Sequence, residues 1–399
     1  MKKICLVVVG LYVSLLNAFS QTTDTAQYKS RTLKLDEVNL VSSYYHQDGN
    51  NSSVTGGIGT EKLSDLANSI DVKLSLYDKH GRKHGLDIDA GVDYYTSASS
   101  DKIDLKANSS ASSSDVRFYP SVSWTRENEK KGTTIGLNAS YSTEFDYQSF
   151  GIGASVFQKS KNRNAEFGFK AQAYFDAVSM ILPTELRQGG GRHDDDDDDY
   201  PTSARNSYSG TFSYSQIVNQ RLQLMVLLDI AYQNGFLALP FHRVYLNNNA
   251  VRSELLPSSR FKLPVSLRAN YFLGDNIVLR SFYRFYHDDW GLNAHTAELE
   301  ASVKINPFLS VAPFYRYYTQ TAIDYFAGYK EHTTADNFYT SNYDLSKFNS
   351  QFLGAGVRFV PPKGIFGIRH WNMVELRYGY YKRSNTLHSN IITLNLKFK

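Results

Sequence analysis

Thirteen charged residues fall where a sheet would bring them to one face: Arg117, Arg268, Arg280, Arg284, Arg316, Arg358 and Arg377, with Asp87, Asp89, Asp93, Glu298, Glu300 and Glu375. Opposed rows of guanidinium and carboxylate around a water-filled passage create a field across it and select which ions or solutes enter. The same rows would equally zip a plugged lumen shut with ion pairs. A second group, His287, Asp288, Asp289 and His295 in HDDWGLNAH, has the residue types of a metal site or an Asp/His hydrolase pair. The alternative there is a turn fixed by Asp289 and Gly291, with Trp290 at a membrane interface. A third group is His193 with Asp194, Asp195, Asp196, Asp197, Asp198 and Asp199, a row of oxygen ligands suited to a hard cation such as loosely bound calcium. Cation loops alternate ligands with glycine or small residues and this run does not, so a solvated acidic loop is the preferred reading. Serines are plentiful, and His242, His287, His295 and His388 lie near strand ends, which keeps a Ser/His pair as an alternative; no GxSxG, HExxH or P-loop occurs. The glycine-rich YYHQDGNNSSVTGGIGTEK lacks the GK[ST] ending and a following helix, so it reads as a structured loop able to pack into a lumen as a constriction.

For those charges to share a face, their segments must repeat with period two. From Phe261 to Leu273 one parity reads Phe261, Leu263, Val265, Leu267, Ala269, Tyr271 and Leu273, and the other carries Lys262, Ser266, Arg268 and Asn270. That alternation marks a strand with one apolar and one polar face. It recurs at 276–288, at 294–305 and, less cleanly, at 307–320. The connections run short, long, short, the rhythm of a transmembrane β-barrel. Along the whole chain about sixteen strands are expected, within a range of about fourteen to eighteen. They begin near 34–46, 69–78 and 85–97 and end with 348–360, 371–383 and 387–398. On 85–97 three aspartates share one face, which must look into a lumen because lipid would not accept them. The expected fold class is all-β, a closed antiparallel barrel with long outer loops, short periplasmic turns and both termini periplasmic.

Composition agrees with this. In 399 residues aromatics reach 14%, with 29 Tyr and 24 Phe, while mean hydropathy is only −0.40, as aromatic girdles around a polar interior require. The N-terminus reads as a secretory signal over 1–20: Lys2 and Lys3, an apolar core from Ile4 to about Leu16, then Ala18-Phe19-Ser20. The mature barrel would then span 21–399, with an acidic loop insert near 187–205. The single cysteine, Cys5, would leave with the signal, so no thiol chemistry is expected. The formal charge of +4 would fall to +2 with the two lysines, which gives no case for nucleic acid. Beyond the signal no apolar run of about 18 residues offers a spanning helix.

The chain resembles an uncharacterised family of outer-membrane proteins of Bacteroidota and proteobacteria, known as a domain of unknown function. The motifs that carry the resemblance are SSYYHQDGNNSSVTGGIGTEKL at 42–63, AGVDYYTSASSDKID at 90–104, PFHRVYL at 240–246, LPSSRFKLP at 256–264, DDWGLNAHTAELE at 288–300 and PFYRYYTQTAIDYFAGYKEH at 313–332. They cover essentially the whole mature chain; the hexa-aspartate run departs from the pattern. The resemblance implies an outer-membrane β-barrel, transfers no catalytic residue, and through the gene surroundings of relatives points towards periplasmic redox or other envelope proteins as partners. The expected function is passage or docking of small solutes through a charged lumen, in contact with outer-membrane lipid. The alternatives are a phospholipase- or protease-like outer-membrane hydrolase, and a surface-binding or assembly protein acting through the loops near 49–60, 187–205 and 328–346.

Overall fold

The computed structural model describes residues 31–96, 114–187 and 200–399. Its strands are β1 (Lys34–Asp48), β2 (Leu63–Tyr77), β3 (Lys83–Thr96), β4 (Ser114–Asn128), β5 (Thr133–Thr143), β6 (Tyr147–Lys159), β7 (Ala165–Ser179), β8 (Thr202–Asn219), β9 (Leu222–Gly235), β10 (Arg243–Tyr245), β11 (Val251–Ser253), β12 (Ser259–Leu273), β13 (Ile277–Asp288), β14 (Asn293–Lys304), β15 (Leu309–Gln320), β16 (Phe348–Phe359), β17 (Trp371–Arg383) and β18 (His388–Phe398). Sixteen of them close into one barrel; β10 and β11 form a separate two-stranded hairpin. Closure is antiparallel, β1 to β18, from Val38 opposite Phe398 to Asp48 opposite His388. A closed ring pairs the edges that an open sheet would leave bare, and this is what lets strands cross a bilayer. Among the described residues no helix is long and apolar enough to do so.

The period-two pattern sorts the side chains as expected. Leu267, Leu299, Tyr315 and Leu376 stand exposed on the outer face, while their neighbours Arg268, Glu298, Arg316 and Arg377 have the opposite parity and face the lumen. Strand limits shift where pairing outlasts the hydrophobic pattern. β2 begins at Leu63 rather than at Ser69, because the ladder to β1 continues through Tyr44 opposite Leu66 although the polar Asn68 interrupts the apolar stripe. At the C-terminus Phe398 is buried and stacked on Trp371, centroids 5.9 Å apart.

The two ends of the barrel differ. One carries the start of β1, the end of β18 and the connections 78–82, 129–132, 160–164, 220–221, 274–276, 305–308 and 360–370. In the three-residue turn 274–276 Gly274 adopts φ +67°, open to glycine without strain. The other end carries 49–62, 180–187 with 200–201, 236–258 and 321–347, with the shorter 144–146, 289–292 and 384–387. The hairpin β10–β11 lies inside 236–258, which the sequence pattern shows only as loop.

Candidate functional site

All thirteen charged residues picked out by parity sit on inward positions, but they form two walls of different make-up. Across β12–β17 the pairing builds successive rows. Arg268 lies opposite Phe282, Phe282 opposite Glu298, Glu298 opposite Arg316 and Arg316 opposite Phe352. One row nearer the loop end run Ser266, Arg284, Thr296, Tyr318, Ser350 and Arg383. One row nearer the turn end, Glu300 is clamped between Arg280 and Arg377, each nitrogen 2.7 Å from a carboxylate oxygen; Arg377 also reaches Glu375 at 3.3 Å. Arg358 lies further towards the turn end, opposite Glu375 in the β16–β17 pairing. Glycine makes the clamp possible: a Cβ at Gly354 would come within 2.7 Å of the Phe314 ring, and that ring lies 5.1 Å under the Arg377 guanidinium.

The facing wall, β1–β4, is acidic. Asp71, Asp87 and Asp89 line β2 and β3, with Lys73 held 3.1 Å from Asp71 and 3.6 Å from Glu37. Asp89 accepts from Ser121 at 3.3 Å and Asp93 from Tyr119 at 2.8 Å. Arg117 belongs to this wall and not to the arginine one: it lies opposite Asp93 in register and donates to Ser142 at 2.9 Å. Glu298, Glu300 and Glu375 conversely lie among the arginines, so the pole opposed to arginine consists of aspartates.

Four connections lock together across the mouth at the loop end. Those after β1 and β9 leave the ring at opposite points, with eight strands between them on either side. Even so, Ser53 meets His242 at 3.0 Å and the Arg243 guanidinium donates to the Val54 carbonyl at 2.7 Å. Arg243 also binds Glu185, from the connection after β7, at 2.5 and 3.1 Å. From the connection after β15, Tyr339 exchanges backbone hydrogen bonds of 2.8 and 3.1 Å with Leu255, and His332 lies 2.9 Å from the Thr340 carbonyl. Gly56, at φ +79°, packs so tightly on Tyr245 that a Cβ would fall 2.5 Å from the ring. At the centre, buried Glu254 accepts from the Leu239 amide at 2.8 Å and from Thr340, and faces His242 at 3.5 Å. Burial pushes its carboxyl up, but charge and hydrogen bonds from His242, with those from Thr340 and Leu239, hold it below the ordinary glutamate value.

HDDWGLNAH does not assemble an Asp/His pair or a metal site. His287 and His295 are strand residues of outward parity, bonded to Asn293 at 2.9 Å and Tyr283 at 2.8 Å. Asp288 points inward and is fully buried. It takes two bonds from Arg260 at 2.5 and 3.0 Å, one from Tyr286 at 2.7 Å, and the amides of Trp290 and Leu292 at 3.0 and 3.1 Å. Asp289 accepts from the Phe261 amide at 2.9 Å. Trp290 is buried, not at a membrane interface: it packs with Ala238, Leu256, Leu292 and Ile323 beneath the loops, its Nε1 donating to the Ser259 carbonyl at 2.9 Å. Local sequence shows a tryptophan in a turn, but the loops that cover it lie far along the chain. The run from His193 to Asp199 lies outside the described residues. Within them, Asp115, Glu144 and Asp146 bring carboxylate oxygens within 4.8 Å of one another, the donor type hard cations take; they are dispersed along the chain and carry no sequence motif. Also missed were Arg383 and Asp344, paired at 2.5 Å. Parity alone would have found Arg383, at the inward end of β17.

No curated protein matches the chain. Among solved structures it is similar to OccK2 (OpdF) of Pseudomonas aeruginosa, with 9% identity, TM-score 0.42, 93% of this chain covered and 99% of that one. It is similar to a BenF-like porin from Pseudomonas fluorescens Pf-5, with 10% identity, TM-score 0.44 and coverage of 91% and 98%. It is also similar to the ferric enterobactin receptor PfeA of Pseudomonas aeruginosa, with 10% identity, TM-score 0.45, 88% of this chain covered and 54% of that one. The profile of the family described as Protein of unknown function (DUF3570) matches residues 95–391, and the chain belongs to that family.

Proposed function

We propose that this protein is a channel of a Gram-negative outer membrane, through whose charged lumen small solutes pass or dock. The observation that carries the reading is the separation of charge inside the ring, with Arg268, Arg284 and Arg316 on β12–β15 and Asp87, Asp89 and Asp93 on β3. A plug held together by ion pairs would bring those charges into contact. Two rows kept apart instead leave a field across the space between them. The apolar outer face meets membrane lipid, the end with the short turns and both termini faces the periplasm, where envelope proteins would dock, and the locked loops control entry from outside. The test is conductance of the purified barrel in planar bilayers, with folding verified by its heat-modifiable mobility. Stepwise currents are expected, and no current above lipid background from folded protein would overturn the reading.

The loop end favours a second reading. Buried Glu254, His242 and Arg243 make that surface rigid enough to bind a partner as a surface-binding or assembly protein. Replacing the exposed Thr334, Ala335 and Asn337, outside the locked contacts, with arginine would then abolish partner capture while leaving single-channel current unchanged.

A further inference from the structure

We propose that the arginine wall carries a binding site for a small organic dianion, a dicarboxylate or phosphomonoester, held by Arg268, Arg284 and Arg316 beneath the locked loops. This names the solute class of the lumen and rests on the channel reading for how the solute arrives. A cavity of about 560 Å³ lies against these three residues, within the range of small-molecule sites. The charges that line it and those one row further towards the turn end are balanced differently. Arg280 and Arg377 share Glu300, and Arg383 is paired with Asp344, whereas among the described residues no carboxylate lies within ion-pair distance of Arg268, Arg284 or Arg316. Glu298 stands beside Arg316 in the pairing without bonding it. Three guanidinium groups against one carboxylate leave two positive charges unanswered, and a solute carrying two negative charges balances them.

The geometry favours oxyanions over simple halides. The Arg268 and Arg284 guanidinium groups lie 5.4 and 5.3 Å from the Phe282 ring, and Arg316 lies 4.9 Å from Phe352. An aromatic ring beneath a guanidinium holds it in place without using up its N–H groups, which match carboxylate and phosphate oxygens two at a time. Arg284 spends one weak bond, 3.3 Å to Ser266. A monoanion would leave one charge unanswered, and a third negative charge would meet Glu298.

The test is calorimetric titration of the full-length folded barrel in detergent with succinate, glycerol 3-phosphate and acetate. Succinate or glycerol 3-phosphate is expected to bind one to one and at least about tenfold more tightly than acetate. Which of the two binds decides between carboxylate and phosphate, and if neither outcompetes acetate the site is wrong. Arg268→Gln and Arg316→Gln should each weaken the dianion by about tenfold or more, Glu298→Gln should tighten it, and Arg358→Gln, towards the turn end, should leave it unchanged. Wild-type affinity in both arginine variants, or weaker binding in Glu298→Gln, would overturn the proposal. If a glutamine variant fails to fold, lysine at the same position serves instead: it keeps the charge, loses the fork, and should still weaken binding measurably. Titration in detergent does not depend on conductance. Binding without current therefore removes the channel and keeps the site, and current without dianion binding removes the site and keeps the channel.

Discussion

The arginine wall and the locked loops at the mouth are built from the same residue types and use them in opposite ways. On the wall, Arg268 and Arg316 are backed by rings and leave their N–H groups to the lumen. In the loops, Arg243 is buried and both its edges are taken, by Val54 and Glu185. The wall is held by backbone ladders, which work whatever the inward side chains are, so its charges are free for solute. Beyond the β10–β11 hairpin the loops have only isolated backbone bridges such as Leu255 with Tyr339, and side-chain hydrogen bonds add to these to hold them. Polar groups buried without partners are costly, so Arg243 and Glu254 there are committed to structure.

The sharpest way to break this comparison is to charge the outer face of the wall. Leu299→Arg, at mid-strand, should cost about 2–4 kcal/mol in unfolding from lipid vesicles, while Glu298→Gln next to it should stay within about 0.5 kcal/mol. The loop end should respond next: Arg243→Ala leaves the buried Val54 carbonyl without its donor and removes the ion pair to Glu185, at a cost of about 1–3 kcal/mol. Hydrogen exchange should quicken in 49–62 and 236–258 and stay slow in the β12–β15 ladder, and mean open-channel current should rise. A smaller effect is expected from acid. Because the Glu254 carboxyl is held below its ordinary value, its stabilisation is complete above that value and is lost as pH falls through the folded one. Exchange at the loop end should therefore quicken as pH falls below the ordinary glutamate value, and Glu254→Gln should flatten that dependence. The smallest effect belongs to His287→Ala and His295→Ala, which should change neither channel current nor stability by more than about 0.5 kcal/mol. Loss of dianion binding in either would show that the outward placement of these rings is wrong.

Much of the wall is legible in sequence because a strand makes its pattern locally. Phe261, Leu263, Val265 and Leu267 alternate with Lys262, Ser266 and Arg268 whatever lies elsewhere in the chain. The charged rows could be picked out for the same reason. Their pairing could not, because Arg377 reaches Glu300 across β15 and β16 only where Gly354 and Gly379 leave room for Phe314 and Phe352. HDDWGLNAH shows the limit most clearly. Its residue types suggest one cluster, but strand parity turns His287 and His295 outward and Asp288 inward, and Trp290 is buried by Ala238, Leu256 and Ile323 from connections it does not adjoin.

By itself, then, the sequence determined a closed antiparallel barrel, its strand count to within about two and which side chains face the lumen, since all three follow from a two-residue period and the need to pair every edge. Only the tertiary structure decided which charges are spent and which are left over. Ion pairs and hydrogen bonds form between residues brought together by ring closure and loop crossing, as Ser53 meets His242 from the far side of the barrel, and no local pattern encodes those meetings. The same assembly leaves Arg268, Arg284 and Arg316 without a carboxylate partner among the described residues.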